Sequence, residues 1–163
     1  MPDRIKMKKR LVRIDESPDF KVINPNEVDK VDIASVMYEA YKDTVDYEDD
    51  TIDDLVMDIL NIERGLYGKY LPEASFLAIF KQRVIGGIFL CDFKNEATIT
   101  YNFTQKKYRN MGVSSTLIQL AENVLFDKGY DDIHLYVSLE NQSAFNLYQS
   151  LGFEKEEIET EII

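Results

Sequence analysis

Apolar positions change their spacing several times along the chain, and each change marks an element. Between Asp29 and Tyr41, the residues Ile33, Val36, Met37, Ala40 and Tyr41 recur at steps of three and four, the period of an amphipathic helix with one face on a core. Ile52, Leu55, Val56, Ile59 and Leu60 repeat that pattern. Thr51 with Asp54 supplies a capping pair at the start of this second helix, and Gly65 and Gly68 bracket its end. After Pro72 the pattern becomes that of strands: Ser75 to Phe80, Val84 to Phe93 and Ala97 to Thr104, joined by short polar turns, predict three consecutive antiparallel strands. Gly86-Gly87 in the middle strand predicts a bulge or a close approach by another backbone. Val113, Leu117, Leu120, Ala121 and Val124 restore helical spacing up to Gly129. His134 to Leu139 is then a strand reached through a helical crossover, hence parallel to the strand before it. Lys9 to Ile14 reads as a first edge strand, Phe20 to Ile23 as a second, and Glu154 to Ile163 as a closing strand at an edge. The fold class is α/β, a mixed and mostly antiparallel sheet with helices on both faces.

Length and composition narrow the setting. At 163 residues the chain reads as one domain, 1–163, with 45% hydrophobic and 30% charged residues, ordinary usage for a globular protein. No apolar run approaches the ~20 residues that span a bilayer, and the basic N-terminus lacks a following apolar segment, so a cytoplasmic protein is expected. A net charge of −11 argues against binding nucleic acid or an anionic membrane. The single cysteine, Cys91, excludes an intramolecular disulfide and a cysteine-based zinc site, and its apolar surroundings mark a buried strand thiol. Basic residues crowd the N-terminus from Arg4 to Arg13, and carboxylates crowd the segment from Asp43 to Asp58.

The strand, turn and helix from Glu96 to Leu125 carry the first chemical signal. A helix start leaves backbone N–H groups without acceptors and favours an anion, Gly112 lets another group come close, and Lys106, Lys107 and Arg109 make a cationic island on an acidic chain. Neither GxxxxGK[ST] nor GxGxxG can be read here. The run Arg109-Asn110-Met111-Gly112-Val113-Ser114 resembles the Q/R-x-x-G-x-G/A loop of the GNAT superfamily of N-acetyltransferases, with Ser114 in place of the last small residue. A second block, His134 to Asn141 followed by Gln142 to Phe153, resembles that family's strand ending in Asn and helix of the form N-x-x-A-x-x-L-Y-x-x-x-G-F. The resemblance implies a central parallel strand pair that splays apart and acetyl-CoA as cosubstrate. It implies a cofactor site formed by the strand end Phe103, Thr104 and Gln105, by the loop residues Arg109, Asn110, Met111 and Gly112, by the helix start Val113, Ser114 and Ser115, and by Asn141 on the pantetheine arm. The family tyrosine falls on Tyr148, which would protonate the departing CoA thiolate.

Strand alternation places Thr98, Thr100, Asn102 and Thr104 on one face and Ile99, Tyr101 and Phe103 on the other. A polar row on a covered strand needs partners, and it is expected to line a reaction cleft. By the resemblance this face looks toward an acceptor amine, where some members carry a Glu or His base; here no direct base is left, and a water relay to Asp92 or Glu96 is the expectation. A backbone N–H near Phe103 or Thr104 would stabilise the oxyanion. By the same resemblance the acidic segment, including Asp46 with Tyr47, would border the acceptor entrance; it reads either as a solvated acidic surface or as a means of attracting a cationic amine such as a polyamine, basic peptide or aminoglycoside-like amine. The expected function is transfer of an acetyl group from acetyl-CoA to a primary amine, small-molecule or peptide, by direct attack; the alternative is a non-catalytic acyl-CoA-binding or regulatory domain. His134 reads as structural, the acidic loop does not fit an EF-hand, and no metal is expected. Among macromolecular partners, a second copy of the chain is admitted.

Overall fold

A computed structural model describes residues 4–156. The chain runs through β1 (Arg4–Arg10), β2 (Lys21–Ile23), α1 (Lys30–Tyr41), α2 (Ile52–Glu63), β3 (Lys69–Tyr70), β4 (Phe76–Phe80), β5 (Arg83–Phe93), β6 (Glu96–Thr104), α3 (Val113–Asp127), β7 (Asp132–Ser138), α4 (Gln142–Ser150) and β8 (Glu154–Lys155). One sheet orders the strands β2-β4-β5-β6-β7-β1-β8, with β3 added beside β5. Every pair is antiparallel except β6 with β7, whose α3 crossover requires parallel strands. The three central antiparallel strands and the parallel one therefore lie where the hydrophobic spacing puts them.

Helices cover both faces. Ile33, Met37, Leu55 and Ile59 of α1 and α2 pack with Phe89, Cys91 and Phe103 on one side. Val113, Leu117, Ala121 and Leu125 of α3 pack with Ile88, Leu90, Ala97 and Ile99 on the other, where Tyr148 and Leu151 join them. Asp29 caps α1 through Val31 N at 2.9 Å, and Thr51 and Asp54 form the expected reciprocal capping box on α2.

The N-terminal strand departs from expectation. It spans Arg4–Arg10 rather than Lys9 to Ile14, and it lies inside the sheet between β7 and β8 rather than at an edge. The lysines that make it look solvated find remote partners. Lys6 Nζ sits 2.6 Å from Glu96 and 3.0 Å from Glu156, and Lys9 Nζ 2.8 Å from Glu122, while Met7 is fully buried. Beyond Arg10 the chain leaves the ladder and runs along α3, where Gln119 Nε2 donates to Val12 O and Asn123 bonds both backbone groups of Ile14. Among the described residues the strand order ends at β2 on one side and β8 on the other; the rest of the expected closing strand, 157–163, lies outside the described residues.

Two bulges shape the centre. In β5, Ile85 has no partner on β4, because Ala78 pairs with Gly86 and Ile79 with Val84. A Cβ on Gly86 would lie 2.8 Å from Phe103 O, and one on Gly87 would lie 2.6 Å from the Phe103 ring, so both glycines admit β6 at close range. In β6, Thr100 is the extra residue, since Phe89 pairs with Tyr101 and Leu90 with Ile99. The bulge reverses the face of the side chains beyond it: Ile99 belongs to the α3 core, whereas Tyr101 and Phe103 belong to the α1–α2 core. The simple alternation that grouped Ile99 with Tyr101 and Phe103 is corrected by this one inserted residue.

Glu122 is 1% exposed and its carboxylate neutralises Lys9, itself largely buried. Removing one member of such a pair strands the other charge. Glu122→Ala is therefore expected to cost about 3 kcal/mol in urea unfolding, with most of it regained in the double variant Lys9→Met, Glu122→Leu. A loss within ~0.5 kcal/mol, the range of ordinary surface substitutions, would show that the pair does not hold the N-terminal strand in place.

Candidate active site

The β6–β7 ladder stops at the pair Ile99 and Leu135, immediately before the Thr100 bulge. Past that point the strands part, and a cleft of about 1120 Å³ opens between Thr100, Tyr101 and Asn102 on one side and Tyr136, Val137 and Ser138 on the other. Asn141 and Tyr148 close it from α4, and Tyr41, Asp46 and Tyr47 from the end of α1 and the loop after it. Among the expected substrate-side residues, Thr98, Thr100, Asn102, Asp46 and Tyr47 all reach this space.

Inside it, three side chains form a chain of hydrogen bonds. Ser114 Oγ donates to Asn102 Oδ1 at 2.8 Å, and Asn102 Nδ2 donates to Tyr148 Oη at 3.2 Å. Burial pushes the Tyr148 phenol above its ordinary range, and the Asn102 N–H opposes this by favouring the phenolate. Tyr41 Oη donates to the Asn102 carbonyl at 3.0 Å, its own phenol raised chiefly by burial. Asn141 caps α4 by accepting from Ala144 N at 3.1 Å and donates its Nδ2 to Asp46 at 2.7 Å. Both ends of the Asn141 amide are thus engaged within the protein.

Part of the cleft lining is acidic. Asp46, Glu48 and Asp50 of the α1–α2 loop and Asp58 of α2 line it, and Tyr101 Oη donates to Asp58 at 2.6 Å. Asp50 is pushed up by burial and by its neighbour Asp58. Of the two carboxylates expected to relay a proton, Asp92 does not border the cleft; it caps Asn95 N at 2.9 Å and accepts from Tyr130. Glu96 borders it, but its bond from Lys6 holds the carboxyl below its usual range, which makes it a poor proton acceptor. Glu96, His134 and Glu156 are also the one group of metal-type ligands among the described residues. Lys6 Nζ bonds both carboxylates, so an ammonium already stands where a cation would be held. His134 is buried on β7 at 3.8 Å from Glu156 and lies outside the cleft lining.

At the other end of β6, the turn into α3 is built from backbone in the left-handed region. Asn110 has φ 65° and Gly112, the helix N-cap, φ 77°. No side chain caps this helix, whereas Asp29, Thr51 and Asn141 cap the other three. The first helical bond runs from Thr116 N to Gly112 O, so the N–H groups of Val113, Ser114 and Ser115 have no acceptor within the helix. A Cβ on Gly112 would meet nothing within 4 Å, Met111 is exposed, and the Thr104 hydroxyl is buried without a partner.

Comparison with known proteins assigns this arrangement. Residues 35–153 match the description "Acetyltransferase (GNAT) family". The chain belongs to that family. A curated relative, N-alpha-acetyltransferase 30 of Schizosaccharomyces pombe, is 28% identical over 100 residues, 53% of this chain and 67% of that protein. N-alpha-acetyltransferase MAK3 of Arabidopsis thaliana is 29% identical over 93 residues, 53% of this chain and 48% of that protein. Among solved structures, an N-acetyltransferase of Thermoplasma acidophilum in complex with coenzyme A aligns with a TM-score of 0.70 at 21% identity, covering 87% of this chain and 94% of that one. As a GNAT chain this is an acetyl-CoA-dependent N-acyltransferase, and its sheet, with one parallel pair inside an antiparallel frame, is the GNAT fold.

The residues at the α3 start fit the cosubstrate of a GNAT enzyme. Free N–H groups at the positive end of a 15-residue helix, with open space at Gly112, suit a pyrophosphate. Lys106 and Lys107 are exposed beside it. Arg109, expected on the cofactor, has its guanidinium donating to the Ala40 carbonyl near the end of α1, which ties the loop to that helix. Gln105 Nε2 is fixed to β5 through Val84 O at 3.0 Å, and the Phe103 ring is buried, so Phe103 can offer a ligand only backbone. Sequence reasoning assigned Tyr41 to the helix stripe and did not single out the pairing of Tyr101 with Asp58; neither carries a motif, and only the cleft reveals them.

Gly112→Val is expected to weaken acetyl-CoA binding at least tenfold in calorimetry, through a branched side chain in the open space beside the free N–H groups. The left-handed φ also makes this substitution a strained one, so the variant is compared at a temperature where circular dichroism shows it folded. Unchanged affinity in the folded variant would place the anion site elsewhere.

Proposed function

We propose that this GNAT chain transfers the acetyl group of acetyl-CoA to the α-amine of a peptide or protein by direct attack in the cleft between β6 and β7, with Tyr148 as general acid. The main support is the parting of the two strands beside Tyr148, which gives a thioester and an amine one place to meet. The peptide acceptor is suggested by the two curated relatives, both named N-alpha-acetyltransferases.

Acid–base chemistry favours the same acceptor. Neither Asp92 nor a free Glu96 is available as base, so the acceptor must supply much of its own free-base form. An α-amine, ordinary pKa about 7.7–8.0, is roughly one-tenth deprotonated at pH 7, whereas a lysine ammonium at about 10.4 is deprotonated in about one molecule in 2,500. The proton that the attacking amine sheds has the acidic wall as its outlet through water, and Asp50, raised by burial and like charge, is the carboxylate best disposed to take it.

In the reaction the amine nitrogen bonds to the thioester carbon, the C–S bond breaks, and the sulfur takes the bonding pair together with the Tyr148 proton. The pH dependence then has two limbs. kcat/KM rises as the α-amine loses its proton near pH ~8. The phenol must keep its proton to act as an acid, so its contribution is lost as pH rises through its folded pKa; burial places that pKa above the ordinary 10.0, and the fall begins only beyond it. Tyr148→Phe should lower kcat by about a hundredfold or more and remove the alkaline fall. Mass spectrometry of unblocked peptides against Nα-blocked lysine peptides checks the acceptor. Equal turnover on the blocked lysine peptides would contradict the α-amine assignment, and turnover lost with Tyr148→Phe would exclude a non-catalytic acyl-CoA-binding domain.

A further inference from the structure

We propose that Asn102 is the positioning residue of the acid step, anchored by Ser114 and aiming the Tyr148 proton into the cleft. Resting on the reading of Tyr148 as acid, the inference concerns how that acid is set. A phenol oxygen can donate its proton or accept one, and a buried tyrosine beside an amide ordinarily does whichever its neighbour requires. Here Ser114 Oγ donates to Asn102 Oδ1 at 2.8 Å, which occupies the amide oxygen and leaves Nδ2 facing Tyr148 Oη at 3.2 Å. The phenol accepts, so its own hydrogen is left free to point away from Asn102.

The fold supplies both partners for this purpose. The Thr100 bulge puts Tyr101 and Phe103 on the α1–α2 side, so Asn102 between them turns to the side of Tyr148 and Ser114. Tyr41 fixes the backbone of the same residue by donating to its carbonyl. Ser114 stands at the second position of α3, one residue beyond Val113, where the helix start is held against β5 and β6. A smaller residue there would leave the Asn102 amide free to rotate and to take the phenol proton on its oxygen.

The proton account closes without another reagent. Tyr148 gives its proton to the CoA sulfur, the phenolate is left accepting from Asn102 Nδ2, and solvent water returns the proton after CoA leaves. An N–H donor on the phenolate favours that form, so Asn102 strengthens the acid as well as aiming it.

The test uses the full chain with acetyl-CoA and a mixture of short unblocked peptides, together with tyrosine labelled with ¹³C at Cζ, the Tyr148 resonance being the one absent in Tyr148→Phe. In Asn102→Ala the Tyr148 pKa should rise, kcat should fall about tenfold, and acetyl-CoA affinity should stay within twofold. Ser114→Ala should give a smaller shift in the same direction, and Ser114→Thr, which keeps the hydroxyl, should restore it. Asn102→Asp should be slower than Asn102→Ala, because a carboxylate accepts the phenol proton. In the Tyr148→Phe background Asn102→Ala should have no further effect on kcat. If Tyr148→Phe loses turnover while Asn102→Ala leaves both the Tyr148 titration and kcat unchanged, the positioning role is overturned and the acid stands. If Tyr148→Phe itself retains turnover, both fall. A loss of kcat in Asn102→Ala that persists in full in the Tyr148→Phe background would mean Asn102 acts on something other than the phenol, which also overturns the positioning role.

Discussion

The inserted residue at Thr100 is the constraint on which the site depends. A parallel pair such as β6 and β7 gains from every ladder bond it makes, and nothing in the residues beyond Ile99 and Leu135 forbids further pairing. The bulge ends it by adding one residue to β6, which twists the strand away and turns the next side chains over. Three consequences arise together: the cleft opens, Tyr101 and Phe103 leave the α3 face for the α1–α2 core, and Asn102 faces Tyr148. Gly86 and Gly87 on the neighbouring strand make room for the displaced β6 backbone and for the Phe103 ring. The strand pair is thus parted by a local feature of β6, and the surrounding packing is fitted to that feature.

A second cost is carried at the start of α3. A glycine at the N-cap in place of Ser, Thr, Asp or Asn forgoes roughly 0.3 kcal/mol of helix stability, and Gly112 loses more conformational freedom on folding than any other residue type would. The other helices keep their caps. The exception coincides with the loop whose sequence resembles the GNAT acetyl-CoA loop, where a side-chain cap would compete with an anion for the same N–H groups. Arg109, next to the left-handed Asn110, donates to a carbonyl of α1, which ties this loop to the helix that lines the cleft through Tyr38 and Tyr41.

The legible part of the sequence was local. Thr51 with Asp54 and the three-and-four spacings of α1 to α3 specify their elements through contacts a few residues apart, and the two family blocks locate the loop and Tyr148. The illegible part was set by distant partners. The run from Thr98 to Thr104 alternates without a flaw on paper, and the bulge within it is decided across the sheet by pairing with β5. The basic N-terminal strand resembles an exposed edge until Glu96, Glu122 and Glu156 neutralise it from elsewhere in the chain. Ser114, read in sequence as a departure from a small residue, turns out to hold Asn102.

If the parted ends of β6 and β7 form one reaction cleft whose cofactor end is the uncapped start of α3, a crystal structure with bound acetyl-CoA is the most direct check. The pyrophosphate is then expected on the N–H groups of Val113, Ser114 and Ser115, and the thioester between Asn102 and Ser138 with its sulfur within hydrogen-bond reach of Tyr148 Oη. A cofactor whose acyl end lies outside the β6–β7 gap, or whose phosphates avoid the α3 start, would contradict that arrangement.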